Sequence, residues 1–211
     1  MEYHKINTIY KREMTNNSKK LLISEWSQPE FGYLQDNLWV FTEKIDGTNI
    51  RVMLDDAGNL TFGGRTDNAQ IPTQLLTRLQ ERFIPQKQKM VDMFRDGIVI
   101  FGEGYGPKIQ KGGGNYRSDQ DFIVFDIRIG SWWLTRDDVA AISHELGLDT
   151  VPVYGCGTLH DAVKWAQAGI PSTFGDFQAE GVVGRPMVEL KARNGQRIIC
   201  KIKCKDFYGL T

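Results

Sequence analysis

The sequence predicts an α+β fold, with mainly antiparallel sheets flanked by helices. Two strand-like runs, Asn49 to Leu54 and Leu60 to Phe62, flank the turn cluster Asp55-Asp56-Ala57-Gly58-Asn59 and give a hairpin. Leu75, Leu76, Leu79 and Phe83 recur at helical spacing within Ile71 to Arg95. Strands and helices are mixed along the chain, and hairpins of this kind imply antiparallel pairing. The 211 residues suit one domain, and 41% hydrophobic content supplies a core.

Taken in order, the first strand signal is Leu38-Trp39-Val40-Phe41-Thr42, running into Glu43-Lys44. The hairpin follows. The helical stretch is interrupted at Pro85, after which Met90, Val91 and Phe94 resume the pattern. Gly97 to Glu103 reads as a buried strand, and a glycine-rich loop runs from Gly104 to Asn115. Asp121 to Ile129 is another strand, with Trp132-Trp133-Leu134 placed to pair with it. Thr135 caps a helix ending near Gly147, with Asp138 three residues on; Thr158 caps a second to Ala168, with Asp161 in the same place. Gly181 to Gly184 and Arg197 to Lys205 are the last strands.

Composition narrows the function classes. Lys+Arg and Asp+Glu are each 26, so formal net charge is zero, which argues against non-specific coating of nucleic acid. No apolar run approaches the roughly 20 residues of a membrane span. The polar N-terminus does not read as a signal peptide, so no membrane partner and an intracellular, cytoplasmic location are expected. Cys156, Cys200 and Cys204 form no disulfide framework and read as ordinary buried thiols rather than a zinc site.

Four segments carry chemistry. Lys44 stands at a strand end before a turn containing Gly47, so its amine projects from rigid backbone. Lysine is a covalent nucleophile where burial or neighbouring cations lower its pKa, and attack on a nucleotide α-phosphorus gives a phosphoramidate. By itself, Lys-x-Asp-Gly is common by chance, and a surface hairpin with a Lys-Asp pair is then the better reading. Glu103 closes a buried strand and suits a ribose hydroxyl, a metal or plain solvent. Glu180 precedes the apolar strand from Gly181, where an oxygen ligand suits Mg²⁺. In Cys200-Lys201-Ile202-Lys203-Cys204-Lys205, pleating puts the three lysines on one face. Like charges so placed repel unless they meet solvent or an anion, and triphosphate is a suitable anion.

The ordered series Lys44-Ile45-Asp46-Gly47, Gly64-Arg65-Thr66, Phe101-Gly102-Glu103, Asp121 to Asp126, Glu180-Gly181-Val182-Val183 and Lys201-Ile202-Lys203 resembles the covalent nucleotidyltransferase superfamily of DNA ligases, RNA ligases and capping enzymes. The wording from Glu43 through Asn49 to Val52 is most similar to ATP-dependent RNA ligases, including those of bacteriophages. The resemblance implies an ATP-grasp-like nucleotidyltransferase domain and RNA ends, or a nicked RNA-containing duplex, as partners. ATP is the implied co-substrate and Mg²⁺ or Mn²⁺ the implied metal; a viral origin would put the protein in host cytoplasm. Lys44 resembles the nucleophile that becomes adenylylated. Asp46 resembles the residue that orients it, and Ile45, Gly47 and Asn49 complete the nucleotide-binding turn. Glu43 matches the residue reading the adenine edge, Arg65 the arginine contacting the nucleotide and the end to be joined, and Glu103 the ribose-binding acid. Phe125 resembles the ring stacked on adenine. Glu180 matches the metal-associated acid, with Asp46 and Glu103 as further metal candidates. Lys201 and Lys203 resemble the pair that binds the α-phosphate, with Lys203 and Lys205 as an alternative register.

The sequence stops at Thr211, a few residues past the lysine pair, so no OB-fold domain is expected, and whatever closes the site on pyrophosphate is expected to be dispensable, supplied in trans by a helper domain or protein, or absent. Residues 135–172 are expected as a helical insertion within a single adenylyltransferase domain spanning 1–211. Trp132, Trp133 and Trp165 read as packing residues before base-stacking ones. The loop Lys108 to Arg117 reads as a phosphate cradle or a flexible connection. Lys5, Lys11, Arg12, Lys19 and Lys20 are available to RNA ends or to solvent. A nick-sealing DNA ligase, or a non-sealing nucleotide- or RNA-end-binding module, are the alternative functions.

Overall fold

The computed structural model describes residues 2–13 and 20–208, so Lys19 lies outside the described residues. In chain order the elements are β1 (Asn7–Thr8), β2 (Tyr10–Arg12), β3 (Leu21–Trp26), α1 (Pro29–Tyr33), β4 (Trp39–Glu43), β5 (Thr48–Leu54) and β6 (Leu60–Gly63). Next come α2 (Thr73–Phe83), α3 (Lys87–Met93), β7 (Ile98–Tyr105), β8 (Asp121–Ile129), β9 (Trp132–Trp133) and α4 (Arg136–Glu145). The last are β10 (Val153–Gly157), α5 (Leu159–Ala168), β11 (Gly181–Pro186) and β12 (Cys200–Lys203). The fold is α+β, with antiparallel sheets and flanking helices, as the patterning predicts.

The chain divides into two compact units, one of Met1–His4 with Asp46–Val151 and one of Lys5–Ile45 with Pro152–Thr211. Residues 135–172 are therefore shared out, α4 to the first unit and α5 to the second.

In the first unit the sheet order is β6-β5-β7-β8-β9, antiparallel throughout. Period-two alternation sends Ile50, Val52 and Leu54 of β5, Ile98 and Ile100 of β7, and Phe122 and Val124 of β8 into one core. Leu75, Leu79 and Phe83 of α2, Met90 of α3 and Val139 of α4 pack into that core. Each such buried side chain contributes about 1.5–3 kcal/mol. The helical stretch breaks around Pro85, as expected, because proline cannot donate to the preceding turn. Asn49 and Arg51 of β5 share the other face with Phe101 and Glu103 of β7.

In the second unit the sheet order is β1-β12-β11-β4-β10, antiparallel except for the parallel β1–β12 pair. Trp39 and Phe41 of β4, Val182 of β11 and Cys200 and Ile202 of β12 form its core with Leu159, Ala162 and Ala166 of α5. Thr158 and Asp161 make the expected capping box on α5. Burial pushes the Cys200 thiol up to about 12. Cys156, expected to be buried, is exposed on β10. Trp165 packs edge-on against Phe41 at 5.5 Å. Trp132, in contrast, stands exposed on β9 in the first unit.

β1, β2, β3, α1 and β10 have no counterpart in the sequence reading. They are short, and β1 pairs with a strand nearly two hundred residues away, so no local periodicity marks it. The expected last strand, Arg197 to Lys205, contracts to Cys200–Lys203. Cys204 N–H donates to the Glu180 carbonyl at 3.0 Å, and the chain turns into a short 3₁₀ helix. Lys205 therefore leaves the strand face that Lys201 and Lys203 share.

Candidate functional site

In the second unit, β4 brings Lys44 to the sheet and β11 holds it there. Lys44 N–H donates to the Gly181 carbonyl at 2.9 Å, which extends the ladder one step past the strand. Gly181 pairs in register with Lys203, so the three backbones lie in one cross-strand row. Gly181 must be glycine: a Cβ there would sit 2.0 Å from the Ile202 carbonyl oxygen. Glu180, just before β11, reaches both amines. Its Oε2 accepts from Lys44 Nζ at 2.5 Å, and its Oε1 lies 2.5 Å from Lys203 Nζ. Burial pushes the Glu180 carboxyl up, but Lys44 and Lys203 outweigh it and hold it below the ordinary carboxylate range. Lys201 lies two residues back on β12, on the same pleat face as Lys203.

Glu43 points the other way. Strand alternation sends its carboxylate to the face opposite Lys44, where it is 1% exposed. There it accepts from Ser172 Oγ at 2.6 Å, Thr173 N–H at 2.7 Å and Thr173 Oγ1 at 2.6 Å. A buried carboxylate needs such donors to offset its lost hydration. Ile45, two residues on, is buried as well. The structure thus groups Lys44, Glu180 and Lys203, and it keeps the Glu43 side chain apart from them.

In the first unit, Asp46 and Gly47 form the turn into β5. A Cβ on Gly47 would sit 2.2 Å from the Gly104 carbonyl oxygen and 2.8 Å from Glu103 Cγ, so only glycine lets the turn lie against β7. Asn49 pairs in register with Glu103, and Arg51 with Phe101. Phe125 is the extra residue of a bulge in β8 opposite Phe101 and Gly102. Its half-buried ring lies 5.1 Å from Tyr3, edge to face. Arg65 is exposed on the loop after β6.

The structure adds residues that the sequence reading left without a role. Tyr116 Oη accepts from Asp46 N–H at 3.1 Å, and Gln110 Nε2 donates to the Gly47 carbonyl at 3.0 Å. Both belong to the loop Lys108 to Arg117, which is therefore tied to the motif turn. Their signal in the sequence was only a glycine-rich, basic composition. Ser172 and Thr173, which hold Glu43, carry no motif at all.

A sequence model of a family described as RNA ligase matches residues 37–203. Among solved structures, the chain is similar to a Naegleria gruberi RNA ligase with PPi, at TM-score 0.65 and 18% identity, covering 83% of this chain and 52% of that one. A mutant of the Naegleria gruberi enzyme with ATP and Mn gives TM-score 0.68 and 17% identity, covering 96% of this chain and 56% of that one. A further mutant, in the apo state, gives TM-score 0.67 and 18% identity, covering 98% and 58%. The chain thus spans little more than half the length of these relatives, and at such identity the likeness is one of fold. No curated protein matches the chain. The family match covers most of the sequence, including Lys44, Glu180 and Lys203, and by it the chain belongs to the RNA ligase family.

Proposed function

We propose that this chain is an ATP-dependent RNA ligase that joins 5′-phosphate and 3′-hydroxyl ends through a covalent Lys44–AMP intermediate. The observation that carries this reading is the pair of amines, Lys44 and Lys203, on one carboxylate, Glu180. Lys44 Nζ attacks the α-phosphorus of ATP, forming a P–N bond as the bond to pyrophosphate breaks. The AMP then passes to an RNA 5′-phosphate, giving a 5′–5′ pyrophosphate linkage and freeing Lys44. A 3′-hydroxyl attacks that linkage, the phosphodiester forms, and AMP leaves.

Each residue has a task in this scheme. Lys201 and Lys203 neutralise charge on the α-phosphate during transfer. Asp46 orients the nucleophile. Glu103 takes the ribose, Phe125 the adenine face, and Arg65 the nucleotide phosphate and the RNA end. Ile45, Gly47 and Asn49 shape the turn around the nucleotide, and Glu43, its carboxylate engaged by Ser172 and Thr173 and its N–H by the Pro152 carbonyl, would meet the adenine edge through its backbone carbonyl. Glu180, held ionised, is a hard oxygen donor of the kind Mg²⁺ or Mn²⁺ takes alongside substrate phosphates, with Asp46 and Glu103 as further candidates. Such an ion, when bound, supplies Lewis-acid charge neutralisation at the phosphates. Glu180 would have to share its two oxygens between such an ion and the Lys44 and Lys203 amines that they now meet.

Among the described residues no helix is long and apolar enough to cross a membrane. We place the reaction in cytoplasm, with RNA ends or a nicked RNA-containing duplex as substrate. Incubation with radiolabelled ATP and Mg²⁺ is the test. A labelled protein band in the wild type, absent from Lys44→Ala, is the expected result; an unlabelled wild type overturns the reading. Sealing assays on single-stranded RNA, nicked RNA–DNA hybrid and nicked DNA then fix the substrate.

A further inference from the structure

The first unit contains an arginine that the scheme above does not use. Arg51 lies in mid-strand on β5 and is 1% exposed. Its Nε donates to the Gly64 carbonyl at 2.7 Å, and its Nη1 lies 2.9 Å from Asp67 Oδ1. These two partners bracket Arg65. The loop they belong to is short and folded on itself: Ala69 N–H returns to the Thr66 carbonyl at 3.1 Å, and a Cβ on Gly64 would sit 2.8 Å from Ala69 Cβ. A fully buried guanidinium is expensive, and an apolar side chain of similar volume is often as stable or more so in such a place. What an apolar side chain cannot do is aim several N–H donors in a fixed plane at two points of one loop. Asp67 is 77% exposed, so it has no need of Arg51 for its own solvation.

We propose that Arg51 is a positioning residue: it fixes the Gly64–Asp67 loop and thereby presents Arg65 to the nucleotide phosphate or the RNA end. The inference rests on the role given to Arg65 above and names what sets its geometry. Loss of Arg51 leaves the core face of β5, with Ile50, Val52 and Leu54, in place. It frees the loop, so Arg65 spends most of its time away from the productive geometry.

Two measurements test this. Hydrogen exchange reads the loop without reference to activity: Arg51→Met is expected to raise exchange at the amides of 64–67 by roughly tenfold or more, with the paired amides of β5 and β7 unchanged. Unchanged loop exchange overturns the proposal even if no catalysis is ever found. The second measurement is a cycle of Arg51→Met, Arg65→Ala and the double variant, read as single-turnover rates of lysine adenylylation and of AMP transfer to a 5′-phosphorylated RNA. Each single variant is expected to slow one of these steps by about tenfold or more, and the double to be no slower than Arg65→Ala alone. Additive losses mean that Arg51 acts by another route, and they overturn the proposal. If Arg51→Met does not fold, Asp67→Asn, an exposed change, replaces it in the cycle, with an expected loss of about threefold that vanishes in the Arg65→Ala background. Arg51→Lys should rescue neither readout, since a single ammonium on a flexible stem cannot reproduce the planar fork. A wild type that never forms lysine-AMP removes the ligase reading but leaves the exchange result to decide the fixing of the loop.

Discussion

The two units carry their candidate residues by different physical means. In the second, the polar groups hold one another: Glu180 is clasped by Lys44 and Lys203, and Glu43 by Ser172 and Thr173. In the first, backbone shape does the work: Gly47 lies against Gly104, Asn49 stands opposite Glu103 in register, and a bulge sets Phe125 apart from its ladder. The difference suits the chemistry proposed for each. Glu180, Lys44 and Lys203, which must exchange partners during phosphoryl transfer, are held by charge, which a substrate outcompetes, whereas Glu43 is fixed in place by its three donors. Groups that define where a nucleoside lies are held by sterics, which no ligand dissolves.

Four experiments break or sharpen that contrast. The largest effect is expected from Lys44→Ala, which should abolish lysine adenylylation while its melting temperature stays near wild type; a residual labelled band would show that another amine is the nucleophile. Next is Glu43→Gln, which puts an NH₂ among three donors. It should cost about 1–3 kcal/mol in denaturant unfolding, through lost charge-assisted bonds and an unsatisfied donor. Gly47→Ala is expected to cost about 1–3 kcal/mol by overpacking against the Gly104 carbonyl and to weaken nucleotide binding as well. A change under about 0.5 kcal/mol would show that the turn yields easily, and the steric account of the first unit would fall. The smallest effect is a pH dependence. Glu180 ionises below its ordinary range when folded, so its stabilisation is fully present above the unfolded carboxylate pKa and is lost as pH falls through the lower folded value. Stability measured across the acid range should therefore fall less steeply in Glu180→Gln; identical slopes would remove the charge account of the second unit.

These same means explain what could be read from the sequence. The β5–β6 hairpin, the α2 and α3 helices broken near Pro85 and the capped α4 and α5 all rest on local periodicity and local capping, so they were legible. The pairing of Lys201 with Lys203 followed from pleat alternation alone. Bringing Glu180 onto both Lys44 and Lys203 required the β4–β11–β12 order, which no local pattern contains. The same holds for the Ser172 and Thr173 donors, which stand about 130 residues from Glu43 in the chain. The loop tie through Tyr116 and Gln110 was invisible because glycine-rich composition signals a turn but not its partner.

Strand β4 presents one more consequence. Neighbouring residues on a strand point to opposite faces, so a misthreading of β4 by one position would send the Lys44 amine inward and leave the Glu43 acid among the phosphates. Such a slip is blocked from behind the sheet, because Glu43 is keyed into Ser172 and Thr173 and cannot shift without losing all three of its donors. Fidelity in aiming the reactive amine thus depends on two hydroxyl residues that need never meet a substrate.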